Sequence, residues 1–296
     1  RKAEKEREKR GREPHSGQRS PLRAMEVVMN GVFFFCGIVA IVFVLFISIY
    51  LIVSGLPAIM EIGLVDFLFG QTWASTAKDP QFGILPFILT SIYGTAGAVV
   101  LGVPVGLMTA IFISKVAAVD LLAGIPSVVY GLIGMIVLVP AVREAFNLPD
   151  GASLFAAIIV LAVMILPSII SVSETALNAV PREYEEASLA LGATHIETVF
   201  RVSVPAASSG IAASVVLGIG RAIGEAMAIM MVAGNVANMP NLLSSVRFLT
   251  TGIAVELAYS SGLQRQALFS IALVLFVFIL LINVVLNGLL KKKNKD

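Results

Sequence analysis

The sequence predicts an all-α, polytopic membrane protein with six spanning helices, and three observations carry the prediction. Of the 296 residues, 57% are hydrophobic and only 14% are charged, where a soluble domain averages about 25% charged residues. Six apolar segments run roughly over residues 32–54, 84–114, 119–142, 153–173, 208–233 and 267–290. Each meets the requirement of a bilayer core about 30 Å thick, which a helix crosses in about 20 residues. Basic residues gather at both ends: nine of the 21 Lys and Arg residues precede residue 24, and "KKKNK" nearly closes the chain. Clusters of this kind mark the cytoplasmic side, so both termini are expected there and the number of spans is even. The apolar runs are too continuous for barrel strands of about ten alternating residues. Helices remain as the way to satisfy the backbone in lipid.

Taken in order, residues 1–30 read as a basic cytoplasmic arm, charged, without an apolar stripe and broken at Pro14. Such an arm is solvated or weakly membrane-associated. With charges of both signs it shows no evident signal peptide, and with a start at Arg1 some N-terminal sequence is expected to be missing. The membrane domain covers 31–292, and 293–296 form a cytoplasmic tail. Cys36, the single cysteine, lies in the first span and is expected to be a small buried thiol, with no disulfide or metal role. The outer segments are then 55–83, 143–152 and 234–266. The first reads as a helix on the membrane surface with Trp73 as interfacial anchor. In the last, Arg247, Glu256 and Arg265 either meet a binding protein or face water, and water is the expectation. Gly102 with Gly106, and Gly220 with Gly224, have the spacing that lets helices approach closely.

The inner segment 174–207 contains "VPREYEEASLALGATHIETVFRVSVP". Pro181 suits the first turn of a helix whose N-terminal dipole Glu183, Glu185 and Glu186 complement. Gly192 is a natural stop. Thr194 with Glu197 three residues on forms a capping box that starts a second helix, and Pro205 precedes the fifth span. Two short helices tied between two spans make a compact knob. Arg182 and Arg201 are expected on its surface, and Glu174 at a hydrated helix end.

Here the sequence resembles a family. Glu186-Ala187-Ser188, then Gly192, then nine residues before "VSVP" ending at Pro205, matches the EAA loop of ABC-importer permeases, with Ser188 for the second Ala and Val202 and Val204 for Ile and Leu. "FGILPFILTSIYGT", "LLAGIPSVVYGLIG", "GRAIGEAMAIMMVAGN" and "GLQRQALFSIALVLF" resemble the phosphate-importer permeases of the PstC type over about residues 25–292. The sister PstA type shares fewer of these segments. The resemblance implies a type I ABC-importer permease in a bacterial inner or plasma membrane. It implies that Glu185, Glu186, Ala187, Gly192 and Pro205 belong to a coupling loop that docks on an ATPase. The implied partners are a second permease subunit of the PstA type, two ATPase subunits of the PstB type and an extracytoplasmic phosphate-binding protein of the PstS type. Phosphate and membrane lipid are the other expected contacts, and nothing points to nucleic acid. One departure stands out: the family carries a cytoplasmic segment between spans two and three, and its absence here suggests residues left out near Val116 to Val119.

Within the fifth span, "GIGRAIGEAMAIMMVAGN" places Arg221 and Glu225 four residues apart. Intramembrane charges cost several kcal/mol unless paired or hydrated and mark pathways by default. On one continuous helix the two would share a face and meet. Arg221 is expected to contact phosphate in transit, because a guanidinium fork matches an oxyanion, while Glu225 neutralises it when the pathway is empty. The competing reading is a permanent ion pair that locks span five. No lysine follows a glycine, so there is no G-x-x-x-x-G-K phosphate loop, and "GIGRAIG" lacks both the spacing and the strand of a dinucleotide site. No catalytic site, metal site or bound cofactor is expected, and a partner must spend the ATP. Sulfate or another oxyanion as cargo, or an ATP-independent secondary transporter, are the alternatives; inverted repeats and paired discontinuous helices would favour the latter, and the sequence shows neither.

Overall fold

The computed structural model describes residues 20–115 and 125–293. The described residues fall into two compact units that divide between Tyr50 and Leu51. The suspected omission at Val116–Val119 lies outside the described residues. Helix α1 runs over Ser20–Ile62, with Pro57 inside it. In the first unit its apolar side chains from Val28 onward are exposed, and so is Cys36. The expectation of a buried thiol is therefore corrected: a helix that crosses lipid needs apolar residues on all sides, so an apolar neighbourhood in sequence does not imply protein packing.

The second unit contains α2 (Leu64–Phe69), a two-stranded antiparallel hairpin of β1 (Trp73–Ala74) and β2 (Gln81–Phe82), and α3 (Leu85–Lys115). Then come α4 (Ser127–Phe146), α5 (Leu154–Asn178), α6 (Arg182–Ala190), α7 (His195–Ala206), α8 (Ser208–Gly224), α9 (Met227–Val232), α10 (Leu249–Glu256) and α11 (Gly262–Lys293). The described helices give five spans, or six when α7 and α8, bent by 70° at their junction, count as one. The third span begins at Ser127 and ends at Phe146, later than the 119–142 read from hydropathy. The expected surface helix at 55–83 is instead the end of α1, the one short helix α2 and the hairpin.

At the centre, α3 lies on α5 through a row of small residues facing β-branched ones. A Cβ at Gly97 would come within 2.8 Å of Ile158, at Gly102 within 2.8 Å of Ile165, and at Gly106 within 2.9 Å of Ile169. The expected close approach at Gly102 and Gly106 is thus present. Helix α8 packs on the same helix, with Gly218 against Ile169 and a buried Ser173–Ser214 hydroxyl pair at 2.8 Å. Helix α4 carries a π turn at Gly134–Leu138 and meets α9 where Gly131 abuts Ala228. Gly220 and Gly224 differ: a Cβ at either would meet nothing within 4 Å, so their spacing does not mark a helix contact in this chain.

Two opposite faces result. The hairpin face gathers residues of 63–84 and 234–261 over an apolar cluster that includes Phe67, Trp73, Phe82, Phe87, Leu249 and Leu268. The knob face gathers the end of α3, the end of α5 and the segment 179–207, linked by a 2.6 Å bond from Ser114 Oγ to Asn178 Oδ1.

Candidate functional site

The fifth span is not a continuous helix. Helix α8 ends at Gly224, Glu225 is extended (φ −73°, ψ 130°), and Ala226 (φ −121°, ψ −51°) leads into the short α9. The break corrects the expected pairing of Arg221 with Glu225, because positions four apart face each other only on unbroken helix. Glu225 turns away: its Oε1 accepts from Ala228 N at 3.0 Å and caps the first turn of α9. Its backbone carbonyl accepts from Thr250 Oγ1 at 2.6 Å, tying the break to the start of α10. A carboxylate suits an exposed helix N-terminus, where backbone N–H groups lack partners.

Arg221 sits four residues before the break and donates from Nη1 to Ser168 Oγ on α5 at 3.2 Å. It lines a cavity of about 760 Å³ with Ser168, Ala213, Val216, Leu217, Gly220 and Asn283. The bare Gly220 leaves this space open beside the guanidinium. Thirteen residues separate Arg221 from the start of α8, which places it about 20 Å along the helix at 1.5 Å per residue. An arginine this deep in a span requires water or further protein around it. Among the described residues the ion pairs are Lys115–Glu185 and Arg247–Glu256, and Arg221 belongs to neither.

On the knob face, the local rules hold. Gly192 takes φ 88° after α6, a conformation that favours glycine. Thr194 accepts from Glu197 N at 3.3 Å while Glu197 Oε2 accepts from Thr194 N at 3.0 Å, completing the capping box. Bonds from Thr194 hold the Glu197 carboxyl below its ordinary range. Glu186, Ala187, Gly192 and Pro205 are exposed, together with Tyr184, Leu189, Leu191 and Ile196. Glu185 is turned inward instead: it accepts from Lys115 Nζ at 2.5 Å and from Ser203 Oγ at 2.8 Å. Burial pushes its carboxyl up, but the bonds from Lys115 and Ser203 and the lysine charge outweigh that and hold it below the ordinary value. One side chain thus joins α6, the end of α3 and the π turn at Val199–Ser203. Sequence reasoning missed Lys115 and Ser203 because they lie 70 and 18 residues from Glu185.

The hairpin face holds a second network. Glu256 accepts from Trp73 Nε1 at 3.0 Å, Ser75 Oγ at 3.0 Å, Gln264 Nε2 at 3.1 Å and Arg247 Nη1 at 2.5 Å. Arg247 Nε donates to Asn235 O at 2.7 Å. The side chains of Arg247 and Glu256 are only 15% and 17% exposed, which corrects the expectation that they face water. Trp73, expected as an interfacial anchor, is 8% exposed and packs edge-on against Phe82. Its N–H needed a partner that lies 183 residues away. Ser168 and Asn283 were also missed; single polar residues inside the apolar segments 153–173 and 267–290 were the available signal.

Spanning helices packed around a broken fifth span, with a two-helix knob on one face, define a membrane permease of an importer. The comparisons agree. The chain belongs to the family of binding-protein-dependent transport system inner membrane components, whose model matches residues 102–295. A probable ABC transporter permease protein, YqgH of Bacillus subtilis, is 39% identical, with 84% of this chain and 86% of the relative covered. The phosphate transport system permease protein PstC of Haemophilus influenzae is 36% identical, covering 78% of this chain and 82% of the relative. Among solved structures, the MetNI methionine ABC transporter in inward-facing conformations matches with a TM-score of 0.52 at 20% identity, over 71% of this chain and 94% of that one. That likeness concerns the fold.

Proposed function

We propose that this chain is the membrane-spanning subunit of an ATP-driven importer of inorganic phosphate. The observation that carries the reading is Arg221, held by Ser168 at the edge of an open cavity in the fifth span, without a carboxylate partner among the described residues. A guanidinium presents a planar fork suited to oxyanions, and relatives over most of the chain are named as phosphate transport permeases. Glu225 acts at the break, where its cap on α9 fixes the angle at which Arg221 is presented.

The energy comes from elsewhere. The chain has no phosphate loop, so ATP is bound and hydrolysed by two ATPase subunits that receive the exposed side of the knob: Glu186, Ala187, Leu189, Leu191 and the turn at Gly192. A second permease subunit closes the cavity on its open side. An extracytoplasmic phosphate-binding protein delivers cargo to the hairpin face. Both termini and the knob lie in the cytoplasm, as the basic clusters require. Closure of the ATPases moves α6, and the Lys115–Glu185–Ser203 junction passes that motion to α3 and α7. Helix α8 follows, since it continues from α7 through the 70° bend.

The test is Arg221→Gln in the assembled complex. Phosphate uptake falls by at least a hundredfold while assembly and basal ATP hydrolysis persist. Uptake at the wild-type rate would show that Arg221 does not meet the cargo.

A further inference from the structure

The cavity beside Arg221 brings together polar side chains from three helices. Arg221 comes from α8, Ser168 from α5 and Asn283 from α11, and the remaining lining residues are Ala213, Val216, Leu217 and Gly220. The hydrogen-bond inventory of the three is specific. Arg221 has five N–H donors, of which one goes to Ser168. Ser168 Oγ accepts that bond and keeps its own O–H to give. The Asn283 amide has no hydrogen bond within the chain among the described residues. Asn283 is only half-buried, so its amide stays free to bond a ligand that enters the cavity.

We propose that Ser168 and Asn283 are further ligands of the transported anion, and that with Arg221 they form a three-helix site for tetrahedral oxyanions as a class. The inference rests on the reading of the chain as a phosphate permease. Arg221 supplies charge, Ser168 a hydroxyl donor and Asn283 an amide that turns either its N–H₂ or its carbonyl toward the anion. That ambivalence has a consequence. Phosphate near neutral pH carries a P–O–H proton and sulfate carries none, so rejecting sulfate requires a fixed acceptor such as a carboxylate. Among the described residues this chain lends the cavity lining no carboxylate, and Glu225 is occupied with α9. These three ligands therefore hold sulfate and monofluorophosphate as well as phosphate, and selection is made elsewhere. Because the ligands sit on three helices, relative movement of α5, α8 and α11 disperses them and releases the anion.

The experiment is equilibrium binding of labelled phosphate to the purified permease–ATPase complex without binding protein, with sulfate and monofluorophosphate as competitors. Both competitors displace phosphate within about tenfold of its own affinity. Ser168→Ala and Asn283→Leu each weaken binding about five- to tenfold, the value of one hydrogen bond to an ion, and Arg221→Gln abolishes it. Asn283→Ser serves as the second variant at that position. Failure of both competitors at a hundredfold excess would refute the unselective site. Unchanged binding in the Ser168 and Asn283 variants would refute the ligand assignment while leaving the phosphate reading intact. No phosphate binding by the wild-type complex, together with no ATP-dependent uptake in vesicles, would remove the reading itself.

Discussion

Replacing Glu256 by alanine removes an acceptor that four side chains share on the hairpin face. Trp73 Nε1, Ser75 Oγ and Gln264 Nε2 lie 3.0 to 3.1 Å from its carboxylate, and Arg247 Nη1 lies at 2.5 Å. Arg247 keeps its bond to Asn235 O, but its charge, 15% exposed, loses its counterion. Breaking one partner of a fully buried pair costs about 3–5 kcal/mol, mostly because the surviving charge stays buried and unpaired; this pair is partly buried, so about 2–4 kcal/mol is expected. Arg247→Leu leaves the carboxylate with three neutral donors, so its cost is smaller, about 2–3 kcal/mol. Removing both leaves no stranded charge, and the double variant is less destabilised than the sum of the singles by about 2 kcal/mol. The assay is thermal unfolding of the detergent-solubilised complex, followed by loss of assembly, for the four members of the cycle. Strict additivity would refute the argument, since it would mean that the two residues do not act as a unit.

Other outcomes follow from the same geometry. Gly102→Ala forces a Cβ to within 2.8 Å of Ile165 and 3.0 Å of the Ala162 carbonyl; it destabilises the complex by about 1–3 kcal/mol. Gly220→Ala meets nothing within 4 Å and stabilises by up to about 1 kcal/mol through helix propensity, so thermal unfolding of the two variants shifts in opposite directions. Glu185→Lys places two cations together at the Lys115 junction and lowers phosphate uptake per ATP hydrolysed about tenfold, and Lys115→Glu in the same chain restores most of it. The carboxyls of Glu185 and Glu256 are both held below their ordinary value of 4.5. At Glu256 burial raises the value, and the bonds from Gln264 and Trp73 with the charge of Arg247 outweigh it. A depressed carboxyl stabilises fully above its unfolded value and loses that contribution as pH falls through the folded one. Assembly is therefore insensitive to pH from 7 down to about 4.5 and weakens below it, and Glu256→Gln shows a shallower acid limb in a pH titration of thermal unfolding.

What the sequence revealed tracks the range of the interactions. Gly192 and the Thr194–Glu197 box were legible because each is settled within four residues. The spans were legible because lipid imposes a length and a polarity on each. The burial of Cys36 was not, because lipid and protein interior demand the same apolar side chains. Arg247, Glu256 and Trp73 were placed in water because their partners are far apart in the chain, and two exposed charges look the same in sequence as one buried pair. At the candidate site, Arg221 and Glu225 stood out in the sequence, but their geometry did not. The spacing of Arg221 and Glu225 assumed a continuous helix, and the break after Gly224 gave Glu225 a local use as a cap. Ser168 and Asn283 meet Arg221 only through the packing of α5 and α11 on α8.

The central claim is that ATP drives phosphate through this chain and its partners. Uptake of labelled phosphate and labelled sulfate by vesicles holding the complete complex tests it, with the binding protein outside and ATP either enclosed or omitted. The account predicts phosphate uptake that requires ATP, with sulfate excluded because the binding protein makes the selection, and no uptake by the Arg221→Gln complex. Uptake of phosphate at the same rate with and without ATP would contradict it and point to a transporter that works without the ATPases.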